Sequence, residues 1–182
     1  MSKRFVVLDR DGTIIVEEVY LSDPSRVSLC VNAGEGLRRM SDLGFGLVVV
    51  SNQSGVGRGY YDEAAVGRVN DRMNELLAKF GVKFDGIYYC PHLPDAGCEC
   101  RKPRTGMLLK AAADLHFDPR TCVVIGDKVC DIELGRAVGA ETILVQTGYG
   151  AQLSDSERRI AGYNVDDLLA AAGVIEQRVK SA

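Results

Sequence analysis

The 182-residue sequence lacks the features that would place it in a membrane or on a nucleic acid. Its apolar runs, such as Leu47 to Val50 and Leu168 to Ala172, are far shorter than the ~20 residues that a membrane-spanning helix needs. It also lacks an excess of positive charge. Since the formal net charge is −3, the chain has no general attraction for nucleic acid or anionic lipid, and any anion must be bound locally.

The sequence also lacks an internal repeat, a low-complexity segment and a linker, which predicts a single domain over 1–182. With 46% hydrophobic and 26% charged residues, it has the composition of a globular domain that can build its own core. The segment before the first predicted strand is too short for a signal peptide, so we expect a cytoplasmic protein. We also expect a monomer that binds a small substrate.

Strand and helix patterns alternate along the chain, which predicts an α/β fold with a doubly wound, Rossmann-like parallel sheet and helices on both faces. Residues 14–32 lack a clean period and would form a minimal cap. The predicted strands are 5–8, Phe45–Ser51, Phe84–Cys90, Thr121–Gly126 and Glu141–Val145. The predicted helices are Gly34–Leu43, a helix capped by Asp62, Gly106–Leu115 with Leu108, Leu109 and Ala112 inward, Asp131–Val138 and Val165–Val179.

Two carboxylates follow the first predicted strand. Asp9 and Asp11 come after the apolar run Phe5 to Leu8, and Gly12 lets the chain turn away without a Cβ clash. Side chains alternate along a strand, so the two carboxylates can converge on one ligand. One can attack an electrophile while the other moves a proton, and Mg²⁺ would relieve their repulsion. The alternative is a strand end with solvated aspartates.

A third carboxylate, Asp127, directly follows the fourth predicted strand, and Asp131 comes one helical turn later. Because ligands bind at the carboxyl ends of parallel strands, Asp127 would join Asp9 and Asp11 in an oxygen-rich site suited to Mg²⁺. Asp131 would support that site as a ligand or through a neighbour, or it would act only as a helix N-cap. The sequence leaves both roles of Asp131 open.

Ser51 ends the second predicted strand and leads into the glycine-rich loop Asn52–Gly59. Its hydroxyl, the backbone N–H groups of the loop and Arg58 would form an anion cradle, with a flexible turn as the alternative. Arg101 and Lys102 add positive charge: the lysine would stabilise a phosphoryl group in flight, and the arginine would hold a second anionic group. The alternative is a solvated basic turn. Lys128 is a further candidate for holding substrate.

Three of the six cysteines crowd beside a histidine in the pattern Cys90-x-His92-x5-Cys98-x-Cys100. Three thiolates and an imidazole are the ligand set of a closed tetrahedral Zn²⁺ site. Such a site has no open position for catalysis, so the zinc would be structural and would shape the basic loop that follows. In a reducing compartment the cluster favours a metal over disulfides. Buried free thiols are the alternative.

Taken together, these motifs resemble those of the haloacid dehalogenase superfamily of phosphotransferases, over about residues 4–150. Its four dispersed motifs are present as Asp9-x-Asp11-Gly-Thr, Ser51, Lys102 and Gly126-Asp127-x3-Asp131. Longer strings resemble a branch of sugar-bisphosphate phosphatases within it. These strings are Asp9-Arg-Asp-Gly-Thr-Ile, Ser51-Asn-Gln-Ser-Gly-Val-Gly-Arg-Gly-Tyr60, Tyr88-Tyr-Cys-Pro-His92, Cys98-x-Cys-Arg-Lys-Pro103 and Gly126-Asp-Lys128.

The resemblance implies a role for each motif residue. Asp9 would be the nucleophile that forms an aspartyl-phosphate, and Asp11 would be acid toward the leaving oxygen and then base toward water. Mg²⁺ would be bound by Asp9, the backbone carbonyl of Asp11 and Asp127, while Ser51 and Lys102 would steady the phosphoryl group. The residues implied to contact the substrate are Glu17, Glu18, Val19, Tyr20, Asn52, Gln53, Ser54, Arg101 and Lys128.

The implied activity is hydrolysis of the 7-phosphate of D-glycero-D-manno-heptose 1,7-bisphosphate, in carbohydrate metabolism that supplies lipopolysaccharide or other glycans. The five-residue spacing between His92 and Cys98 also resembles histidinol-phosphate phosphatases of the same subfamily. The glycine-rich loop and Arg101-Lys-Pro-x-x-Gly106 follow the heptose pattern more closely. A hypothesis from another class is a non-catalytic phosphosugar-binding or zinc-dependent interaction module, which would have no need of a nucleophile.

Overall fold

The structure, a computed structural model, describes residues 3–181 of the chain. Its strands are β1 (Phe5–Leu8), β2 (Gly46–Asn52), β3 (Gly86–Cys90), β4 (Val123–Gly126), β5 (Glu141–Val145) and β6 (Tyr163–Val165). They form one sheet in the order β3-β2-β1-β4-β5-β6, with each strand parallel to its neighbours. Since β1 continues to β2 on one side and has β4 on the other, the sheet is doubly wound, and the predicted fold class is confirmed.

Helices cover both faces of this sheet. They are α1 (Ala33–Asp42), α2 (Ser54–Gly57), α3 (Glu63–Ala78), α4 (Gly106–Leu115), α5 (Val129–Ala137), α6 (Asp155–Arg158) and α7 (Leu168–Lys180). Val6 and Leu8 of β1 pack into a core cluster with α1, α3 and α7. Phe5 and Val7 point to the opposite cluster, which contains residues of α4 and α5. This alternation is the period of two that a strand imposes, and it makes β1 the centre of both cores.

The structure corrects three details of the predicted elements. The closing helix begins at Leu168 rather than Val165, because residues 163–165 form β6 at the edge of the sheet, beside β5. Helix α5 begins at Val129, two residues earlier than predicted. Leu109, predicted to point inward, is 47% exposed, whereas its neighbour Leu108 is fully buried. Adjacent residues of a helix point about 100° apart, so this narrow buried face takes only one of the two.

Residues 14–32 form a short flap beside β1, in agreement with the predicted minimal cap. Its two arms are joined by hydrogen bonds from the Val16 N–H to the Ser28 carbonyl and from the Cys30 N–H to the Ile14 carbonyl, both at 2.9 Å. A 3-10 turn at Pro24–Arg26 closes the end of the flap. Among the described helices, none combines the length and the hydropathy needed to cross a membrane.

Asp167 connects the starts of two helices on the same face of the sheet. Its Oδ1 accepts hydrogen bonds from the N–H groups of Leu169 and Ala170, both at 2.9 Å, and so caps α7. Its Oδ2 accepts a hydrogen bond from Asn32 Nδ2 at 2.7 Å, immediately before α1. One carboxylate therefore satisfies the free N–H groups of α7 and ties that helix to α1.

Replacing Asp167 by alanine should lower the free energy of unfolding by about 1–2 kcal/mol, the usual effect of removing an N-cap. Urea unfolding followed by circular dichroism measures this change. Asp167→Asn keeps an acceptor and should lose less than half as much. The matched control is Asp166→Ala at an exposed neighbour, for which we expect a change below about 0.5 kcal/mol. Equal losses in Asp167→Ala and Asp166→Ala would contradict the capping role.

Candidate active site

The carboxyl ends of β1, β2 and β4 lie side by side where the winding of the sheet reverses. Asp9, Ser51 and Asp127, which follow or end these strands, are all buried, with exposed fractions of 5%, 2% and 0%. A cavity of about 270 Å³ opens above them. The predicted site residues that line it are Asp9, Asp11, Glu17, Glu18, Val19, Tyr20, Asn52, Gln53, Ser54, Arg101, Lys102 and Lys128. The topology thus gathers side chains that are far apart in sequence.

Lys102 lies at the floor of this cavity and is only 3% exposed. Its Nζ is 2.9 Å from Asp9 Oδ1 and 2.7 Å from Asp131 Oδ1, and it donates a hydrogen bond to the Val50 carbonyl at 2.8 Å. Burial opposes the charged form, but Asp131 and Asp9 outweigh it and raise the pKa of Lys102. The three ammonium N–H groups each have an acceptor, so Lys102 supplies charge and orientation.

The position of Lys102 depends on Asn52 at the end of β2. Asn52 Nδ2 donates to the Lys102 carbonyl at 3.2 Å, and Asn52 Oδ1 accepts from the Lys102 N–H at 3.0 Å. This pair of bonds fixes the backbone of the basic loop against the sheet. Asn52, predicted as a substrate contact, therefore uses both side-chain polar atoms in hydrogen bonds to the backbone of Lys102.

Asp9 is an ionised carboxylate that is almost completely buried at the cavity. Burial alone would raise the pKa of Asp9, but the ammonium groups of Lys102 and Lys128, together with hydrogen bonds, hold it below its usual range. Asp9 Oδ1 accepts from the Arg10 N–H at 2.7 Å and pairs with Lys102. Its other oxygen, Oδ2, lies 3.7 Å from the ammonium group of Lys128.

Three oxygens of the acidic cluster surround the ammonium group of Lys128. Lys128 Nζ lies 3.7 Å from Asp9 Oδ2, 3.6 Å from Asp127 Oδ1 and 3.3 Å from the Asp11 carbonyl oxygen. It is also 2.9 Å from Glu17 Oε2. Burial and the charge on Asp9 raise the pKa of Asp127 to about 7. The ammonium group thus occupies a position among hard oxygen donors where a metal cation could bind. Such oxygens are the ligands that Mg²⁺ prefers.

Asp131 has both of its carboxylate oxygens engaged. Oδ1 pairs with Lys102, and Oδ2 accepts a hydrogen bond from the Lys128 N–H at 3.0 Å, at the start of α5, where Lys128 and not Asp131 is the N-cap residue. One oxygen each from Asp9, Asp127 and Asp131 lie within 4.8 Å of one another. Since its oxygens already have partners, Asp131 supports the acidic cluster through Lys102 and the helix start.

A loop after β5 also shapes the site, and sequence reasoning missed it. The Tyr149 N–H donates to Asp127 Oδ2 at 2.8 Å, and Thr147 Oγ1 donates to the Gly12 carbonyl at 2.6 Å. A Cβ at either Gly12 or Gly148 would lie 2.3 Å from Asp127 Oδ2, and both glycines have positive φ. The signal was available, because Thr147-Gly-Tyr-Gly150 follows a predicted strand in the way that Asp9 and Asp127 do.

One part of the glycine-rich segment lies at the cavity, and another part lies outside it. Residues 54–57 form the short helix α2, and Ser54 lines the cavity. Gln53 is 4% exposed, and its Nε2 donates to Asp11 Oδ2 at 2.7 Å and to Ser51 Oγ at 2.6 Å. Arg58 is exposed, with its guanidinium 5.7 Å from the Tyr20 ring centroid. Gln53 therefore faces Asp11, and Arg58 lies outside the cavity lining.

Arg101 carries an open hydrogen-bond donor beside the cavity. Within residues 3–181, its buried Nη1 atom has no hydrogen-bond partner. A buried, unpaired guanidinium nitrogen is costly unless a ligand completes it. Arg101 lines the same cavity as Asp9 and Lys102, so a second anionic group on a bound molecule could reach it.

Cys90, His92, Cys98 and Cys100 converge on one point beside the basic loop. Five distances between pairs of atoms from the three sulfurs and His92 Nδ1 lie between 3.1 and 3.6 Å. An ideal tetrahedral zinc site with Zn–S bonds of ~2.3 Å separates its sulfurs by about 3.8 Å, so this spacing fits one shared ion. All six cysteines are free thiols. The set fits Zn²⁺ in ligand type, number and spacing.

Comparison with known proteins agrees with this geometry. A family model described as HAD-hydrolase-like matches residues 99–171. The chain is 36% identical to a D-glycero-beta-D-manno-heptose-1,7-bisphosphate 7-phosphatase of Pasteurella multocida, over 91% of this chain and 93% of that protein. It is 40% identical to the Escherichia coli K12 protein of the same name, over 79% of each chain.

A solved structure extends the comparison to three dimensions. The D,D-heptose 1,7-bisphosphate phosphatase from B. bronchiseptica, complexed with magnesium and phosphate, superimposes with a TM-score of 0.85 at 31% identity, over 96% of this chain and 99% of that one. The resemblance inferred from the sequence motifs is therefore confirmed. The chain belongs to the haloacid dehalogenase-like phosphatase family that includes the D-glycero-beta-D-manno-heptose-1,7-bisphosphate 7-phosphatases.

Proposed function

We propose that this chain hydrolyses the 7-phosphate of D-glycero-D-manno-heptose 1,7-bisphosphate, giving heptose 1-phosphate and phosphate. The observation that carries the proposal is the ionised, buried Asp9 at the floor of a cavity, with Lys102 on one of its oxygens and a cation position on the other. The names of the relatives supply the substrate. These features speak against a non-catalytic phosphosugar-binding or zinc-dependent interaction module, since a binder needs no nucleophile.

In the proposed mechanism, the carboxylate of Asp9 attacks the phosphorus and forms an aspartyl-phosphate. Asp11 gives a proton to the departing sugar oxygen and then takes a proton from the water that hydrolyses the intermediate. Lys102 supplies fixed positive charge beside Asp9, and the Ser51 hydroxyl donates toward the phosphoryl group. Asp9, the Asp11 carbonyl and Asp127 would hold Mg²⁺, which supplies charge neutralisation of the phosphoryl oxygens when bound.

The rest of the cavity lining would hold the sugar and its second phosphate. Arg101 is the natural contact for that remote phosphate, because its Nη1 is open and a guanidinium binds phosphate oxygens in a fork. Lys128 would share its charge between the substrate and the acidic cluster. Residues of the flap and of α2 would contact the sugar hydroxyls; these are Glu17, Glu18, Val19, Tyr20 and Ser54.

The product would place the enzyme in carbohydrate metabolism, as a source of heptose 1-phosphate for lipopolysaccharide or other glycans. We also propose that residues 1–182 form one catalytic domain, since a single sheet with two core clusters holds the described residues. The cytoplasmic location and the monomeric state stay predictions from the sequence.

Replacing Asp9 by asparagine should lower kcat at least about 10³-fold, because the amide cannot form the aspartyl-phosphate. Phosphate release measures the loss, and circular dichroism and zinc content should match the wild type. Asp71→Asn, the same change at an exposed position of α3, is the control and should keep full activity. Phosphate release by Asp9→Asn at a rate near that of the wild type would overturn the mechanism.

The substrate is tested by comparing kcat/KM for heptose 1,7-bisphosphate and for histidinol phosphate on one preparation. We expect a preference of roughly 10- to 100-fold for the bisphosphate, because an open arginine that gains a charged phosphate partner contributes about 1.5–3 kcal/mol. Heptose 7-phosphate, which lacks the remote phosphate, should fall between the two. A preference for histidinol phosphate would reverse the assignment, and no phosphate release from any of them would favour the binding module.

The thiol and imidazole cluster should hold about one Zn²⁺ per chain, measured by elemental analysis of protein purified without chelators. Cys98→Ser should lose most of this zinc and lower the melting temperature, because the loop before Lys102 loses its anchor. Cys30→Ser, a change at a cysteine outside the cluster, should keep the zinc. Absence of zinc from the wild type, or full zinc in Cys98→Ser, would refute the four-ligand site.

A further inference from the structure

Arg10, between the two acidic residues of the first motif, is an arginine almost completely removed from water. It is 1% exposed and is the largest fully buried side chain among the described residues. A buried guanidinium is tolerated only where its charge and its N–H groups are satisfied. The proposed mechanism so far gives Arg10 no task, which makes its partners informative.

The guanidinium of Arg10 grips the carboxylate of Asp11 as a fork. Nε donates to Asp11 Oδ2 and Nη2 donates to Asp11 Oδ1, each at 3.1 Å. On its far side, Nη1 donates to Asn70 Oδ1 at 2.8 Å. Asn70 is a buried residue of α3, so the fork is anchored to a helix of the core. Two parallel bonds fix the plane of a carboxylate, which a single bond cannot do.

The two oxygens of Asp11 differ in how many donors they accept. Oδ2 accepts from Arg10 Nε and from Gln53 Nε2 at 2.7 Å. Gln53 is held in turn by Tyr61, whose hydroxyl donates to Gln53 Oε1 at 3.1 Å. Within residues 3–181, Oδ1 accepts only from Arg10 Nη2. The lone pairs of Oδ2 are therefore occupied, while Oδ1 keeps one lone pair for a proton.

We propose that Arg10 and Asn70 are positioning residues for Asp11, and that the proton transfers of Asp11 take place at Oδ1. This rests on the proposed function, because it assigns a position to the acid and base of that mechanism. Arg10 fixes the plane of the Asp11 carboxylate, and Asn70 fixes the position of the Arg10 guanidinium. Gln53 occupies Asp11 Oδ2 with a hydrogen bond. The result is one carboxylate oxygen aimed at the cavity in both halves of the reaction.

The two proton transfers balance. As the bond from phosphorus to the sugar oxygen breaks, that oxygen keeps the electron pair and takes the proton from Asp11 Oδ1. A water oxygen then bonds to the phosphorus of the aspartyl-phosphate, its proton goes to Asp11 Oδ1, and the electron pair of the broken bond returns to Asp9. Asp11 ends protonated, as it began, and phosphate leaves.

The role of Asp11 as an acid is separated from its role as a base by comparing an alkyl phosphate with an aryl phosphate. The alkoxide leaving group of heptose bisphosphate needs the proton, whereas the 4-nitrophenolate of 4-nitrophenyl phosphate leaves without one. In Arg10→Lys, which loses the fork, we expect kcat for heptose bisphosphate to fall roughly 10- to 100-fold, within the 10²–10⁴ that proton transfer contributes as a whole. KM should change little, because Arg10 lies outside the cavity lining.

With 4-nitrophenyl phosphate, stopped-flow measurement resolves the two steps. The rate constant of the nitrophenolate burst should match that of the wild type, while the steady-state rate falls as the kcat for heptose bisphosphate does. Acid quenching should find more aspartyl-phosphate in the variant, since only attack by water still needs the base. A general loosening of the site would slow the burst as well.

Variants of Asn70 test the anchor without touching the fork. Asn70→Ala should lower the steady-state rate with both substrates and spare the burst, and Asn70→Asp, which keeps the acceptor, should recover most of the lost rate. Asn74→Ala, the same truncation one turn along α3 at an exposed residue, is the matched control. Melting temperatures identify any variant that fails to fold, and the Asn70 pair then replaces Arg10→Lys.

Two results would overturn the proposal: unchanged steady-state rates in folded Arg10→Lys and Asn70→Ala, or an equal loss in the burst and the steady state. The substrate assignment fails separately. If the wild type turns over 4-nitrophenyl phosphate and rejects heptose bisphosphate, the burst comparison still decides the role of Arg10. If the wild type releases no phosphate from either compound, the phosphatase mechanism itself fails.

Discussion

The ion pairs of Lys102 with Asp9 and Asp131 are the interaction on which the site depends. The three side chains are 1%, 5% and 1% exposed, so none of them is stabilised by bulk water. Leaving one such charge without its partner is far more costly than breaking a surface pair, by several kcal/mol in general. Each of the three therefore needs the others, and together they tie β1, the basic loop and the start of α5 into one unit.

This dependence gives a role to the thiol and imidazole cluster and to Asn52. Lys102 is two residues from Cys100, so the cluster limits where the basic loop can run, and Asn52 fixes its backbone from the neighbouring strand. Neither group touches the reacting atoms. Both limit the conformational freedom of a lysine whose misplacement would remove an ion-pair partner from two buried carboxylates. Residues that shape the loop and the lysine proposed to act in catalysis are thus only a few positions apart in the sequence.

Much of the fold and of the site follows from strand ends. Asp9, Ser51, Cys90 and Asp127 each end or follow a predicted strand, and a parallel sheet places all of those ends at one edge. Elements with short or ambiguous sequence patterns were not predicted correctly. Three residues of β6 leave no periodic pattern, and a helix period does not say which of two adjacent leucines is buried, as Leu109 shows.

Other features of the site could not be predicted from sequence because they depend on distances across the fold. The bond from Arg10 to Asn70 joins residues 60 apart in sequence, and the bond from Gln53 to Asp11 joins residues 42 apart. A glutamine and an asparagine in a polar loop are equally suited to bind substrate or to orient a neighbour. Only the three-dimensional arrangement shows that Asn52 and Gln53 face inward, toward Lys102 and Asp11.

The position of Lys128 has a consequence for the coupling of metal binding and folding. Three oxygens suited to a divalent ion surround its ammonium group, so the chain carries an internal counter-ion for its acidic cluster. Repulsion between Asp9 and Asp127 is thereby relieved before any ion arrives. Folding of this end of the sheet then depends less on a divalent metal. In the thiol cluster, by contrast, a bound metal would need thiolate ligands, so metal binding and the free energy of folding would be linked there.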